Sequence, residues 1–192
     1  MTELREIGDE AAWSLSSAKP GNGVEQLRDG NTETFWQSDG PQPHLINIQF
    51  HRKVKVSELK LYTSFKFDES YTPSCISVRI GTGYHDLQEI QVVDLKEPDG
   101  WVSIQLARPH GEAELSVSPA CMPRDLEVGG AVDFLRTHFI QLAVLSNHQS
   151  GRDTHIRQIQ VLGPRSSQEP MGQEADSLRF QTSAMMQFSN IR

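Results

Sequence analysis

Apolar residues recur at every second position in a series of short runs: Ile46, Ile48 and Phe50; Val54 and Val56; Leu59 and Leu61; Ile76, Val78 and Ile80; Val102, Ile104 and Leu106. A strand turns successive side chains to opposite faces, so this spacing predicts strands with one buried face each. The phase slips by one residue between Val56 and Leu59, which predicts a bulged strand or two separate pieces. Two further strands are expected at 139–145 and 156–162. The first is apolar on both faces through Ile140, Leu142, Ala143, Val144 and Leu145, the pattern of a central strand covered on both sides. Helical periodicity is nearly absent apart from a turn around Val24 to Leu27. A single sheet would leave its apolar face in water, so many short strands separated by Gly, Pro, Asn and Asp predict an all-β chain folded as a jelly-roll β-sandwich of two antiparallel sheets.

A chain of 192 residues holds one domain with a sizeable core but not two ordinary domains and a linker. The formal net charge of -7 disfavours a broad phosphate-neutralising surface, so no nucleic acid is expected as a partner. The start, Met1 to Glu6, has neither the basic residues nor the apolar run of a secretory signal, and no stretch approaches membrane-spanning length. An intracellular protein with no membrane partner is the expectation, with Cys75 and Cys121 held as thiols. Residues 107–134 interrupt the strand pattern with Pro109, Gly111, Pro119, Pro123, Gly129 and Gly130 and read as a long surface loop. From Gly163-Pro164-Arg165 the chain turns polar, which predicts an ordered domain at 4–164 and a flexible C-terminal tail at 165–192 with an apolar tip of Met185, Met186, Phe188 and Ile191.

The densest polar run is Asn147-His148-Gln149-Ser150-Gly151-Arg152-Asp153-Thr154-His155, between the last two expected strands. His148, Asp153 and His155 are metal-ligating types, but no HExxH or paired-cysteine spacing accompanies them, so neither metal nor cofactor is expected. Nothing like a nucleophile elbow surrounds Ser150, which argues against a hydrolase built from Ser150, His155 and Asp153. Two readings of the loop stay open. Its side chains contact a ligand, or Asn147 and Asp153 hold the turn through hydrogen bonds to the main chain while Arg152 pairs with a nearby carboxylate. In a second run, Asp29 to Gly40, Trp36 is expected to plug the core with its indole N–H on a partner. A third, Lys66-Phe67-Asp68-Glu69-Ser70-Tyr71-Thr72-Pro73-Ser74, reads as an acidic, exposed loop that Pro73 ends before the next strand.

Taken in order, several segments resemble the DOC-domain family of anaphase-promoting-complex subunits, the subunit 10 type in particular. They are Arg5-Glu6-Ile7-Gly8, Trp13 to Ser17, Leu27 to Phe50, Asp68 to Ser74, and Ala143 to Ile159, and together they span most of residues 4–164. The resemblance implies a galactose-binding-like jelly roll. It also implies a non-catalytic co-receptor, not an enzyme, that works with a propeller-shaped coactivator to grip destruction-box degrons in mitosis while other subunits transfer ubiquitin. Its degron-facing loops map onto Asp68, Glu69, Ser70 and Tyr71, and onto Asn147, His148, Gln149, Arg152 and Asp153. Phe67 departs from the small polar residue often found there in the family. The family also ends in Ile-Arg, as this chain does in Ile191-Arg192, which implies docking of the tail onto a tetratricopeptide-repeat subunit; membership of the complex implies a place in the nucleus and cytoplasm. The 107–134 segment matches nothing in the family pattern and reads as an insertion. The competing expectation is a carbohydrate-binding module, since the same sandwich presents sugar sites at its loop end.

Overall fold

A computed structural model describes residues 3–106, 108–109 and 132–165. In chain order the strands are β1 (Leu4–Glu6), β2 (Ala11–Leu15), β3 (Trp36–Gln37), β4 (His44–Val56), β5 (Glu58–Ser64), β6 (Pro73–Gly81) and β7 (Gln88–Asp94). They continue as β8 (Asp99–Gln105), β9 (Arg108–Pro109), β10 (Val132–Asp133), β11 (Leu135–Asn147), β12 (His155–Ile156) and β13 (Gln158–Pro164). Among the described residues the two short α-helices are α1 (Val24–Arg28) and α2 (Phe65–Asp68). One antiparallel sheet has the order β2-β4-β11-β6-β7 and the other β1-β13-β5-β8, with small ribbons β3-β12 and β9-β10 beside them. This is the expected two-sheet sandwich.

The phase slip after Val56 is where the chain changes sheets. Val56 closes β4 in the five-stranded sheet and Leu59 opens the buried face of β5 in the four-stranded one, and both side chains are fully buried. Ser57 sits at the corner, donating its N–H to the Leu162 carbonyl and accepting from the Leu106 N–H. Of the two expected outcomes, the two-piece one holds. Strand β11 is central as predicted, with Ile140 opposite both Ile48 and Ile80 and Leu142 opposite both Ile46 and Val78. Its two faces differ: Ile140, Leu142 and Val144 join the inter-sheet core, whereas Phe139 does not belong to that cluster and packs under Tyr84 with ring centroids 4.7 Å apart.

The expected strand at 156–162 divides instead into β12 and β13. The break falls at Arg157, whose N–H bonds the Tyr62 carbonyl and whose side chain is committed to Asp68. Within the two main sheets three strands escaped the apolar alternation: β1, β2 and β7. All lie at sheet edges; β1 and β7 carry polar residues such as Arg5, Glu6, Gln88 and Glu89, and β2, Ala11–Leu15, is short and only half-buried. The turn expected near Val24 is helix α1, which buries Leu27 completely and ends on Arg28, a cation at the favourable end of the helix dipole. Trp36 is fully buried and its Nε1–H donates to the Ser17 carbonyl at 3.0 Å, as expected of a core plug. The base of the expected 107–134 loop is a short ribbon, with Val132 opposite Pro109 and Asp133 opposite Arg108. Residues 110–131, including Cys121, and residues 166–192, including Ile191 and Arg192, lie outside the described residues.

Candidate functional site

Strands β5 and β11 come from different sheets, and at one end of the sandwich the chain leaves each of them in a tight turn. After β5 run α2 and a 3-10 turn, Glu69–Tyr71; after β11 runs a second 3-10 turn, His148–Ser150. These are the two segments singled out in the sequence, and the fold packs them together. The His148 N–H donates to the Thr72 carbonyl at 2.9 Å, and the Phe65 and His148 rings meet edge to face at 5.0 Å. Gly151 lies so close to the other turn that a Cβ there would fall 1.8 Å from the Ser70 carbonyl oxygen, so only glycine fits.

Beneath this surface is a charged base. Asp68, expected to be exposed, is 5% exposed instead, and Thr72 and Pro73 of the same run are also buried. The reason is Arg157, which brings Nε to Asp68 Oδ2 and Nη2 to Oδ1, each at 2.9 Å, while Nη1 donates to the Thr32 carbonyl at 2.8 Å. A two-pronged guanidinium–carboxylate pair can remain in a protein interior where a lone charge cannot. Burial by itself would raise the Asp68 carboxyl, but hydrogen bonds from His155 and Arg157, together with their charges, hold it below the ordinary carboxylate value. The ionised carboxylate only accepts, so His155 Nδ1 carries the proton donated to Asp68 Oδ1 at 3.1 Å. The imidazole is sandwiched between Phe35, at 4.2 Å, and Tyr71, at 4.3 Å.

The polar loop after β11 is largely self-satisfied. Asn147 is buried; its Nδ2 donates to the Gly151 and Asp153 carbonyls at 3.2 and 2.7 Å, and its Oδ1 accepts from Thr154 Oγ1. The turn-holding role is therefore real for Asn147. Asp153 bonds Lys19 Nζ at 3.1 Å, and Arg152 is exposed. With His155 turned to Asp68 and Asp153 to Lys19, the residues weighed as a relay with Ser150 do not form one. Among the described residues no group of three or more His, Cys, Asp or Glu converges as a metal site would require. Of the sequence-selected set, Glu69, Tyr71, Gln149 and Arg152 are exposed, Ser70, His148 and Asp153 half-buried, and Asp68 and Asn147 buried. Sequence reasoning missed Arg157 and Phe35; the available signal was a lone arginine inside an apolar strand pattern.

Fold and surface together define a jelly-roll domain whose loop end presents exposed donors and acceptors over an ion-paired base. The chain matches the family described as Anaphase-promoting complex, subunit 10 (APC10), over residues 1–190, and it belongs to that family. It is 52% identical over 161 residues to the human "Anaphase-promoting complex subunit 10", covering 84% of this chain and 76% of that protein. The Dictyostelium discoideum protein of the same name is 43% identical over 187 residues, 97% of this chain and 86% of its own length. Membership places the chain among the cell-cycle subunits of a ubiquitin-ligase complex. Among solved structures, a family 32 CBM from C. perfringens NanJ, in complex with galactose, superimposes with a TM-score of 0.60 at 12% identity, covering 83% of this chain and 99% of that one. That likeness establishes the galactose-binding-like jelly roll and nothing further.

Proposed function

We propose that this chain is a non-catalytic substrate co-receptor of the anaphase-promoting complex, which together with a propeller coactivator holds destruction-box degrons and so promotes processive ubiquitination in mitosis. One observation carries the reading: two segments about eighty residues apart, both assigned to degron contact by the family resemblance, pack into one continuous surface with Glu69, Tyr71, Gln149 and Arg152 exposed on it. An extended peptide brings unpaired main-chain donors and acceptors, and such side chains satisfy them. In this proposal Asp68, Asn147 and Asp153 hold the surface in shape, while Ser70 and His148 line it. Ile191 and Arg192 engage a tetratricopeptide-repeat subunit, and the protein works in nucleus and cytoplasm with the rest of the complex.

The test replaces Glu69, Gln149 and Arg152 with alanine and counts ubiquitins added per binding event on a destruction-box substrate. All three side chains are exposed, so folding and incorporation into the complex are expected to be intact. Each lost hydrogen bond to the peptide costs about 1 kcal/mol and acts mainly on residence time, so processivity should fall. Unchanged processivity in an incorporated variant removes the site assignment. A carbohydrate module would instead bind free galactose, which titration calorimetry on the same chain detects.

A further inference from the structure

Next to the proposed degron surface lies a pocket of about 170 Å3 lined by Thr32, Glu33, Tyr62, Phe67 and Arg157. It adjoins that surface directly, because Phe67 precedes Asp68 and Arg157 is the ion-pair partner of Asp68. Two of its walls are aromatic, and Phe67 is 72% exposed, an unusual state for a phenylalanine on a well-packed sandwich. The third is the flat guanidinium of Arg157, whose centre lies 5.6 Å from the Phe67 ring centroid and whose charge is already matched by Asp68. The remaining lining charge is the Glu33 carboxylate, which is exposed and has no hydrogen-bond or ion-pair partner among the described residues.

Aromatic faces attract cations through their negative quadrupole, and a carboxylate at the mouth supplies the counter-charge. A site of this kind suits a basic side chain. Phe67 already behaves accordingly: exposed Lys66 lays its Nζ 5.8 Å from the ring centroid, where it fills the role an outside cation would take. We propose that the pocket receives an arginine or lysine side chain of the degron-bearing peptide, adjacent to the segment held by Glu69, Tyr71, Gln149 and Arg152. The inference rests on the co-receptor reading and specifies what flanks the degron. A guanidinium fits better than an ammonium, since it stacks on Phe67 and Tyr62 while pairing with Glu33 through two nitrogens. Lys66 is then an internal competitor that the incoming side chain displaces.

The test measures binding of destruction-box peptides to the full chain with its coactivator, moving a single arginine through the flanking positions of an otherwise alanine flank. One position should bind about three- to tenfold tighter than its neighbours, the scale of an exposed cation–π contact plus an exposed ion pair. Glu33→Gln or Phe67→Ala should abolish that preference, Lys66→Ala should enlarge it, and Glu33→Lys should transfer it to a glutamate at the same peptide position. Affinity indifferent to the arginine, or a preference that survives both Glu33→Gln and Phe67→Ala, overturns the pocket assignment alone. Peptide binding unaffected by Glu69→Ala and Arg152→Ala overturns the co-receptor reading and the pocket's occupant with it.

Discussion

A guanidinium in a protein interior needs a counter-charge within reach, and Arg157 has Asp68 on two of its nitrogens and the Thr32 carbonyl on the third. Replacing Asp68 with asparagine leaves the cation buried and unmatched, which should cost about 3 to 5 kcal/mol in chemical denaturation. A compensating Asp68→Asn, Arg157→Met pair should recover much of that loss, because the penalty comes from the orphaned charge rather than from the missing bond. The pH dependence has a definite sign. The folded Asp68 carboxyl lies below the ordinary value of 3.8, so its contribution is present above that value and is lost as pH falls through the lower folded one. Gly151 gives a second residue-scale test. An alanine Cβ would meet the Ser70 main chain, so Gly151→Ala should push the two turns apart, lowering stability by about 1 to 3 kcal/mol and, under the proposed function, weakening peptide binding beyond what loss of any exposed side chain does. Neither effect was legible in the sequence. Asp68 stands in a run of turn-forming and charged residues that looks solvated, and its partner is 89 positions away.

Elements were legible where their residues alternate between core and solvent, which includes the edge strand β8 through Val102, Ile104 and Leu106. Strand β11, paired on both sides, announced itself through apolar residues on both of its faces over 139–145, interrupted only by Gln141, and the change of sheet at Ser57 appeared as a slip in alternation. Strands β1, β2 and β7 carry weaker signals because none of their residues is fully buried, so the sequence needs no apolar stripe there. The candidate site was half legible: the two turns were found from composition and resemblance, while the aromatic stack of Phe35, His155 and Tyr71 that supports them needs the fold to bring it together. The connection from β6 to β7 carries its own titration. Asp86 accepts from the Thr82 N–H, the Thr82 hydroxyl and the Gly83 N–H, which hold its carboxyl down to about 2. Because the folded value is depressed, the turn should stay closed down to pH values well below 3.8 and open as pH approaches 2. Amide chemical shifts of Thr82 and Gly83 should titrate with that low midpoint, and Asp86→Asn should remove the titration. A midpoint near the ordinary aspartate value would show that the turn does not bind its carboxylate as described.

At the scale of the whole molecule, the sandwich closes on itself by Arg165. The last strand, β13, completes its register with Leu4 opposite Pro164, and the Arg165 N–H reaches back to the Glu3 carbonyl. Arg28 ties the same seam together, donating to Glu6, Asp9 and the Ile159 carbonyl while lying 4.7 Å from the Trp13 ring centroid. Every strand pairing described for the two sheets is therefore complete without residues 166–192. A chain truncated after Arg165 should keep the melting temperature and denaturation midpoint of the full chain, since it keeps every strand pairing described for the two sheets. The same truncation removes Ile191 and Arg192, and under the proposed function it should lower recovery of the rest of the complex in affinity purification from cell extract. The two readouts separate two roles for the segment. A fall in melting temperature would mean that residues after 165 pack on the sandwich, and unchanged recovery of the complex would mean that docking is carried by the folded body, leaving Ile191 and Arg192 without the partner role assigned to them.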